Sequence, residues 1–327
     1  MRLVGKNVER LAEELAELRP APETVVTIGV FDGVHLGHQR VVRRTVERAR
    51  ETGRAPVGIT FYPHPLQVHQ PEAAPKLIIP FAERVRLLES LGLVRVIPMA
   101  YSPELARLSA AEYLGLLVEA LGMRELVVGP DFTVGRNREG TVPVLARLGP
   151  ELGFALTVVE LVALEARVSS SAIRALISAG DVEQAAVLLG RPVTLWGRVV
   201  AGEGRGRELG FPTANLSTDP EVLLPADGVY AAWAEVRAVR YPAAVSIGVR
   251  PTFGPGPRLV EAYLLDFAGN LYGENVKLEL MRRLRPELAF SAAAALIEQM
   301  RRDVEQVRKL LTERVTDDGS TGPNPSA

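Results

Sequence analysis

From residue 25 to about 160 the chain alternates between two patterns. The runs VVTIGVF (25–31), PVGITF (56–61), LVRVIP (93–98), ELVVG (125–129) and FALTVVE (154–160) are rich in Val and Ile. They are apolar almost throughout, as strands buried on both faces are. Between them lie HQRVVRRTVERARETG (38–53), FAERVRLLESLG (81–92), SAAEYLGLLVEALG (109–122) and PVLARLGPELG (143–153), which have helical spacing. Several of these close on a glycine stop. Strand–helix alternation of this kind predicts an α/β unit, a parallel sheet with helices on both faces. Two short helices, SSAIRALISAG (170–180) and DVEQAAVLLG (181–190), complete it.

After Gly190-Arg191-Pro192 the pattern changes. TLWGRVVAG (194–202), FPTANLS (211–217), GVYAAWAEV (228–236), YPAAVSIGV (241–249), LVEAYLLDF (259–267) and NVKLELMRRLR (275–285) read as strands separated by Gly/Pro/Asp-rich turns. Six short strands with no helix between them predict a small closed antiparallel barrel. One helix follows over 291–315, and its apolar stripe Ile297, Met300, Val304, Val307 and Leu311 is expected to cover an opening of the barrel. The expected domains are 1–188 and 189–315, with 316–327 a disordered tail by composition.

Composition narrows the chemistry. The 327 residues carry 38 Lys+Arg against 39 Asp+Glu, a formal net charge of −1, which argues against a protein whose main work is neutralising nucleic-acid phosphates. The absence of cysteine excludes disulfides, thiol nucleophiles and thiolate metal sites. The N-terminus mixes charges at helical spacing without the apolar segment of a signal peptide, and no apolar run approaches the ~18–20 residues of a membrane span. A cytoplasmic protein with no membrane partner is expected.

The four histidines lie at 35, 38, 64 and 69. In VVTIGVFDGVHLGHQRVV, His35 and His38 fall where a strand turns into a helix, the usual ligand crevice of an open α/β sheet. Free amides and the dipole at a helix start favour phosphate, and Gly29, Gly33 and Gly37 permit close approach of a nucleotide. Two imidazoles three residues apart can stabilise charge developing on a triphosphate. A metal pair is the alternative, but it needs a further ligand. In VSSSAIRALI (168–177), Ser170 and Ser171 sit at a helix start with Arg174 about one turn on, either a second anion grip or plain capping.

In the second half, GRVVAGEGRGRELGFPTANL (197–216) fits neither the P-loop nor the dinucleotide fingerprint. A stretch holding Gly204, Arg205, Gly206 and Arg207 either wraps a polyphosphate or is a solvated loop. Thr213 and Asn215 share a strand face and offer a hydroxyl and an amide oxygen, suitable ligands for Mg²⁺ completed by phosphates. Glu261 is a carboxylate in an apolar strand, either a base for phosphoryl transfer or a partner of Arg250.

GVFDGVHLGHQ, TFYPHP (60–65), GPDFTVGRNREG (129–140) and VSSSAIR resemble the adenylyltransferase module of prokaryotic bifunctional riboflavin kinase/FAD synthetase. GRGRELGFPTANL, GVY (228–230), SIGVRPTFG (246–254) and VEAYLLDF resemble its riboflavin kinase module, in the expected order. The resemblance spans roughly 23–312. It implies an α/β Rossmann-like nucleotidyltransferase domain followed by a six-stranded antiparallel barrel with a C-terminal helix. It further implies ATP-dependent conversion of riboflavin to FMN and of FMN to FAD, with Mg²⁺, and flavins and ATP as the only ligands. Weak self-association into a homo-oligomer is left open.

Carried over by that resemblance, His35 and His38 hold the ATP phosphates, with Ser170, Ser171 and Arg174 opposite. Gly29, Phe31, Gly33, Gly37, Gly129 and Asp131 line the nucleotide crevice, and Phe61, Pro63 and Pro65 lie toward the flavin. Thr213 and Asn215 bind Mg-ATP, Glu261 is the base, and the Gly202–Arg207 loop closes on the phosphates. Thr133-Val134 stands where the family usually has Arg-Phe, and Ser171 where it usually has Thr. The alternatives are an adenylyltransferase whose barrel only binds ligand, and an RNA-binding protein related to class I tRNA synthetases.

Overall fold

The computed structural model describes residues 3–160, 168–202, 206, 209–249, 258–290 and 292–317. Contacts divide the chain into two compact units, Met1–Ser170 and Ser171–Ala327.

The first unit is built on strands β1 (Thr24–Gly29), β2 (Ala55–Tyr62), β3 (Arg95–Ala100), β4 (Met123–Val128) and β7 (Ala155–Val158), with a small hairpin of β5 (Thr133–Val134) and β6 (Gly140–Thr141). Its helices are α1 (Leu11–Glu17), α2 (Leu36–Thr52), α3 (Pro65–His69), α4 (Phe81–Ser90), α5 (Pro103–Ala106), α6 (Ala110–Leu121) and α7 (Val142–Leu152). The five main strands form a parallel sheet in the order β3-β2-β1-β4-β7, as the alternating pattern predicts. Thr24 to Ile28 are all buried, because β1 is central and covered on both faces. Val26 and Ile28 pack with Leu114, Leu117 and Leu121 of α6. On the other face Val25 packs with Val41 and Ala49 of α2.

Strand order reverses beside β1, whose neighbours β2 and β4 continue in opposite directions across the sheet. The carboxyl ends of β1 and β4 therefore flank the crevice in which open α/β sheets bind ligands. A buried ion pair sets the helix that leaves this point. Glu125 on β4, with no exposed surface, accepts from Arg48 Nε and Nη2 of α2 at 2.6 and 3.1 Å.

The second unit contains α8 (Ser170–Ala179, continuing from the last residue of the first unit), α9 (Val182–Leu189), strands β8 (Val193–Val200), β9 (Ala214–Thr218), β10 (Gly228–Val236), β11 (Val239–Gly248), β12 (Leu259–Leu264) and β13 (Asn275–Arg285), and α10 (Ala293–Asp317). The strands close into an antiparallel barrel in the order β10-β11-β12-β9-β8-β13. The two short helices belong to this unit by packing. The Ala226 amide donates to the Ile177 carbonyl, and Arg282 on β13 pairs with Glu183 of α9 at 2.9 Å, so both short helices group with the barrel.

Alternation within the strands separates two faces. Tyr230, Ala232, Ala234, Ala243, Val245, Ile247, Ala262 and Leu278 are buried toward the interior. Ala231, Trp233, Ala244 and Tyr263 point the other way and pack with Val304, Val307 and Leu311 of α10. The C-terminal helix thus covers the outer wall rather than an opening, because its apolar stripe finds the apolar outer residues of β10, β11 and β12. The helix extends to Asp317, two residues into the expected tail, and the rest of that tail lies outside the described residues. Arg285 fastens the helix through a bidentate pair with Asp303 at 2.7 to 3.2 Å. Leu311, 1% exposed, anchors it apolarly. Leu311→Ala is expected to lower stability by about 2–4 kcal/mol, read from urea unfolding of the purified protein. A loss well under 1 kcal/mol would count against the helix as part of the barrel core.

Candidate active sites

The first site forms where β1 runs into α2. The strand stops at Gly29, earlier than the apolar run to Phe31 implies, because Phe31 (φ 51°) and Val34 (φ 42°) adopt left-handed backbone. Such conformations cost about 1–3 kcal/mol each in a non-glycine residue and persist where the surroundings impose them. Gly33, at φ 82°, shares the turn, and a Cβ there would lie 3.0 Å from Ile78 Cδ1. A Cβ on Gly29 would meet the Phe31 ring at 3.0 Å.

His35 is the N-cap of α2. Its Nδ1 accepts from the His38 amide at 3.3 Å, which requires a lone pair there and places the ring proton on Nε2. The two imidazoles stack with centroids 3.6 Å apart and planes at 16°, and the Phe31 ring stands edge-on to His38 at 5.2 Å. Gly37 is buried in the first turn. The paired rings therefore lie at a helix start, with its first-turn amides and positive dipole end. Among the described residues no group of three or more His, Asp or Glu is placed to hold a metal ion.

Two residues missed by the sequence reading organise the loop. Asp32, 1% exposed, accepts the Ile78 amide on both carboxylate oxygens at 3.1 Å. Arg84 of α4, with no exposed surface, donates to the carbonyls of Val30 at 2.8 Å and Phe61 at 3.1 Å and approaches Asp32 Oδ1 at 3.8 Å. The signal was present: Arg84 falls between Phe81, Val85 and Leu88, on the apolar stripe of its helix. A charge on a buried face calls for a partner.

Ser170 joins the same loop, its hydroxyl donating to the Asp32 carbonyl at 2.9 Å. Ser171 is exposed and Arg174 half-buried further along α8, beyond the division between the units. Gly129 and Asp131 follow β4 across the crevice from Gly29, with Asp131 exposed. Thr133 and Val134 form half of the β5–β6 hairpin, where Arg138 Nε donates to Thr133 Oγ1 at 3.0 Å. Phe61 lies near the end of β2, edge-on to Tyr101 at 5.6 Å. The Tyr62–Pro63 bond is cis, and Pro65 opens α3, capped by His64. His69 and the Tyr101 hydroxyl are 2.7 Å apart, and burial pushes the Tyr101 hydroxyl above its usual pKa.

The second site lies on the outer face of the barrel. Register places Asn215 of β9 opposite Glu261 of β12, and Glu261 opposite Ser246 of β11, so the three side chains form a row across adjacent strands. Thr213 lies just before β9, outside the strand. Small residues crowd both: a Cβ on Gly202 would lie 2.1 Å from Asn215 Nδ2, and one on Gly206 would lie 3.0 Å from Thr213 Oγ1. Gly204, Arg205 and Arg207 lie outside the described residues, as does Arg250. Thr213 also lines a pocket of about 550 Å³ with Val199, Ala214, Leu264, Phe267 and Tyr272, at the mouth of the barrel.

Beyond the row stands Glu287, which the sequence reading did not single out. Its Oε1 accepts from the Ser246 hydroxyl at 3.3 Å, and a Cβ on Gly248 would lie 2.3 Å from its carboxyl carbon. Burial, with Asp227 and Glu261 nearby, raises its pKa against the lowering effect of Ser246 and Arg285.

An HxGH turn at the reversal point of a parallel sheet, together with a hydroxyl–amide–carboxylate row on a closed barrel, fits the class of two-site nucleotide-dependent transferases. Comparison with known proteins agrees: the family model for FAD synthetase matches residues 18–172 and that for riboflavin kinase matches 189–311. The bifunctional riboflavin kinase/FMN adenylyltransferase of Pseudomonas fluorescens is 38% identical over 305 residues, covering 92% of this chain and 97% of that one. That of Bacillus subtilis is 36% identical over 289 residues, covering 87% and 91%. A solved structure from Streptococcus pneumoniae, described as a macrolide-efflux protein, superposes with a TM-score of 0.81 at 32% identity, covering 90% of this chain and 96% of that one. Among the described residues here, no helix is long and apolar enough to cross a membrane. The chain belongs to the bifunctional riboflavin kinase/FMN adenylyltransferase family.

A raised carboxyl pKa binds protons more tightly folded than unfolded, so Glu287 favours folding in acid and loses that contribution as pH rises through its folded pKa. Glu287→Gln is therefore expected to raise the melting temperature relative to the parent at pH 7 and to leave it unchanged near pH 4. Equal melting curves at both pH values would show that the carboxyl carries no such strain.

Proposed function

We propose that the barrel phosphorylates riboflavin to FMN and that the α/β unit adenylylates FMN to FAD, both with ATP. The observation that carries this reading is that each matched family model coincides with a site of suitable chemistry. Residues 189–315 are assigned to the kinase and 1–188 to adenylyl transfer. Flavin is substrate and product, the ligands are flavins and ATP, and the cytoplasm is the proposed compartment.

In the kinase step the riboflavin 5′-hydroxyl oxygen attacks the γ-phosphorus of ATP, the γ-phosphorus–oxygen bond to ADP breaks, and Glu261 takes the hydroxyl proton. Glu261 fits that role by standing in register beside Asn215 rather than inside the barrel. Mg²⁺ would be held by Thr213 and Asn215, whose neutral oxygens are hard ligands and whose side chains sit in a cradle kept open by Gly202 and Gly206. When bound, the ion neutralises charge on the transferring phosphate. Gly204, Arg205, Gly206 and Arg207 are assigned to the phosphates on the family resemblance.

In the adenylyl step a phosphate oxygen of FMN attacks the α-phosphorus of ATP and pyrophosphate leaves. His35 Nε2–H and His38, at the head of α2, stabilise the charge that develops there. Gly29, Phe31, Gly33, Gly37, Gly129 and Asp131 are assigned to the nucleotide, and Phe61, Pro63 and Pro65 to the flavin. Ser170, Ser171 and Arg174 are assigned to the phosphates.

The two activities should separate by mutation. His38→Ala is expected to convert riboflavin to FMN normally but to form FAD about 10²–10⁴-fold more slowly. Glu261→Gln should block FMN formation to a similar degree while still converting added FMN to FAD. Chromatography of the flavins from each reaction reads both, and Glu261→Gln protein that phosphorylates riboflavin at the parent rate would refute the assignment of the base.

A further inference from the structure

We propose that Arg84 is a positioning residue for adenylyl transfer, coupling the loop that holds ATP to the segment that holds the flavin. The proposal rests on the two-activity reading above and adds a role for a fully buried residue.

The guanidinium joins points that sequence keeps apart. Nη1 donates to the carbonyl of Val30, the first residue after β1, and to that of Phe61, near the end of β2. These two carbonyls begin the loop carrying His35 and the segment carrying Pro63 and Pro65. A parallel sheet leaves such terminal carbonyls without strand partners, to be met by water, ligand or side chain. Here one planar, permanently charged group meets both, so neither segment can shift without breaking a bond to the other.

The clamp extends through Asp32. Arg84 Nη2 lies 3.8 Å from Asp32 Oδ1, both groups being almost completely buried. The Asp32 carboxylate holds the Ile78 amide, and its carbonyl holds the Ser170 hydroxyl. Thr60 reinforces the same point, donating to the Val30 carbonyl at 3.0 Å. The Phe81 ring, 5.0 Å from the guanidinium carbon, closes the remaining side. The left-handed residues Phe31 and Val34 lie inside the loop held in this way.

The test uses the full chain, in which the barrel reports on folding and concentration. Arg84→Lys keeps the charge but lacks the planar fork that reaches two carbonyls. It is expected to raise KM for both ATP and FMN and to lower kcat for FAD formation at least tenfold, with riboflavin phosphorylation within twofold of the parent. Proportional loss of both activities, or a change in KM for one substrate alone, would overturn the coupling. If the variant does not fold, hydrogen exchange on the parent protein decides. FMN alone should protect amides of residues 30–38, and a non-hydrolysable ATP analogue alone should protect those of 59–65. Protection confined to each ligand's own segment would overturn the proposal. A parent protein that forms no FAD from FMN would instead sink the underlying two-activity reading.

Discussion

A guanidinium with no exposed surface is the constraint on which the turn after β1, with its paired histidines, depends. Removing an ion from water costs several kcal/mol even after relaxation, and a buried pair recovers this only when its remaining hydrogen-bonding capacity is met. Arg84 donates to two carbonyls, with a carboxylate 3.8 Å away and an aromatic face beside it, all at one end of the sheet. The cost of burial thereby becomes specificity of conformation. An apolar residue could fill the space, but it could not hold Val30 and Phe61 in one arrangement. The stacked histidines, the reversed backbone of Phe31 and the Ser170 contact all sit on that fixed frame.

The barrel solves a comparable problem by alternation. Each strand gives one face to the interior, where Tyr230, Ala232, Val245 and Ile247 are buried. The opposite face is divided. Over β10 and β11 it is apolar and covered by the C-terminal helix, whereas over β9, β12 and part of β11 it carries Asn215, Glu261 and Ser246. A one-residue slip of β12 would turn Glu261 into the core and expose Val260 or Ala262. Core packing and the placement of the Asn215–Glu261–Ser246 row therefore specify the same register.

The architecture was largely legible because it follows from period. Continuous apolar runs separated by amphipathic helices mark a doubly covered parallel sheet, and short alternating strands mark the barrel. The motif residues were legible where local chemistry demanded them, as in the glycine-rich turn around His35 and His38. What escaped depends on contacts distant in sequence. Arg84 and Asp32 are 52 positions apart by number, and Glu287 reaches Ser246 from the segment after β13. The stripe of the last helix was recognised, but an apolar stripe does not say which surface it covers, and Trp233 and Tyr263 on the outer wall decided it.

Conversion of riboflavin to FAD by one chain requires attack at two different phosphorus atoms of ATP, the γ-phosphorus for FMN and the α-phosphorus for FAD. Incubation with riboflavin, Mg²⁺ and ATP labelled at either the α- or the γ-phosphate, followed by chromatography of the flavins, tests it directly. Label from the γ-position should enter FMN and persist into FAD, while label from the α-position should enter FAD alone. Flavins that acquire neither label, or FMN labelled from the α-phosphate, would contradict the claim.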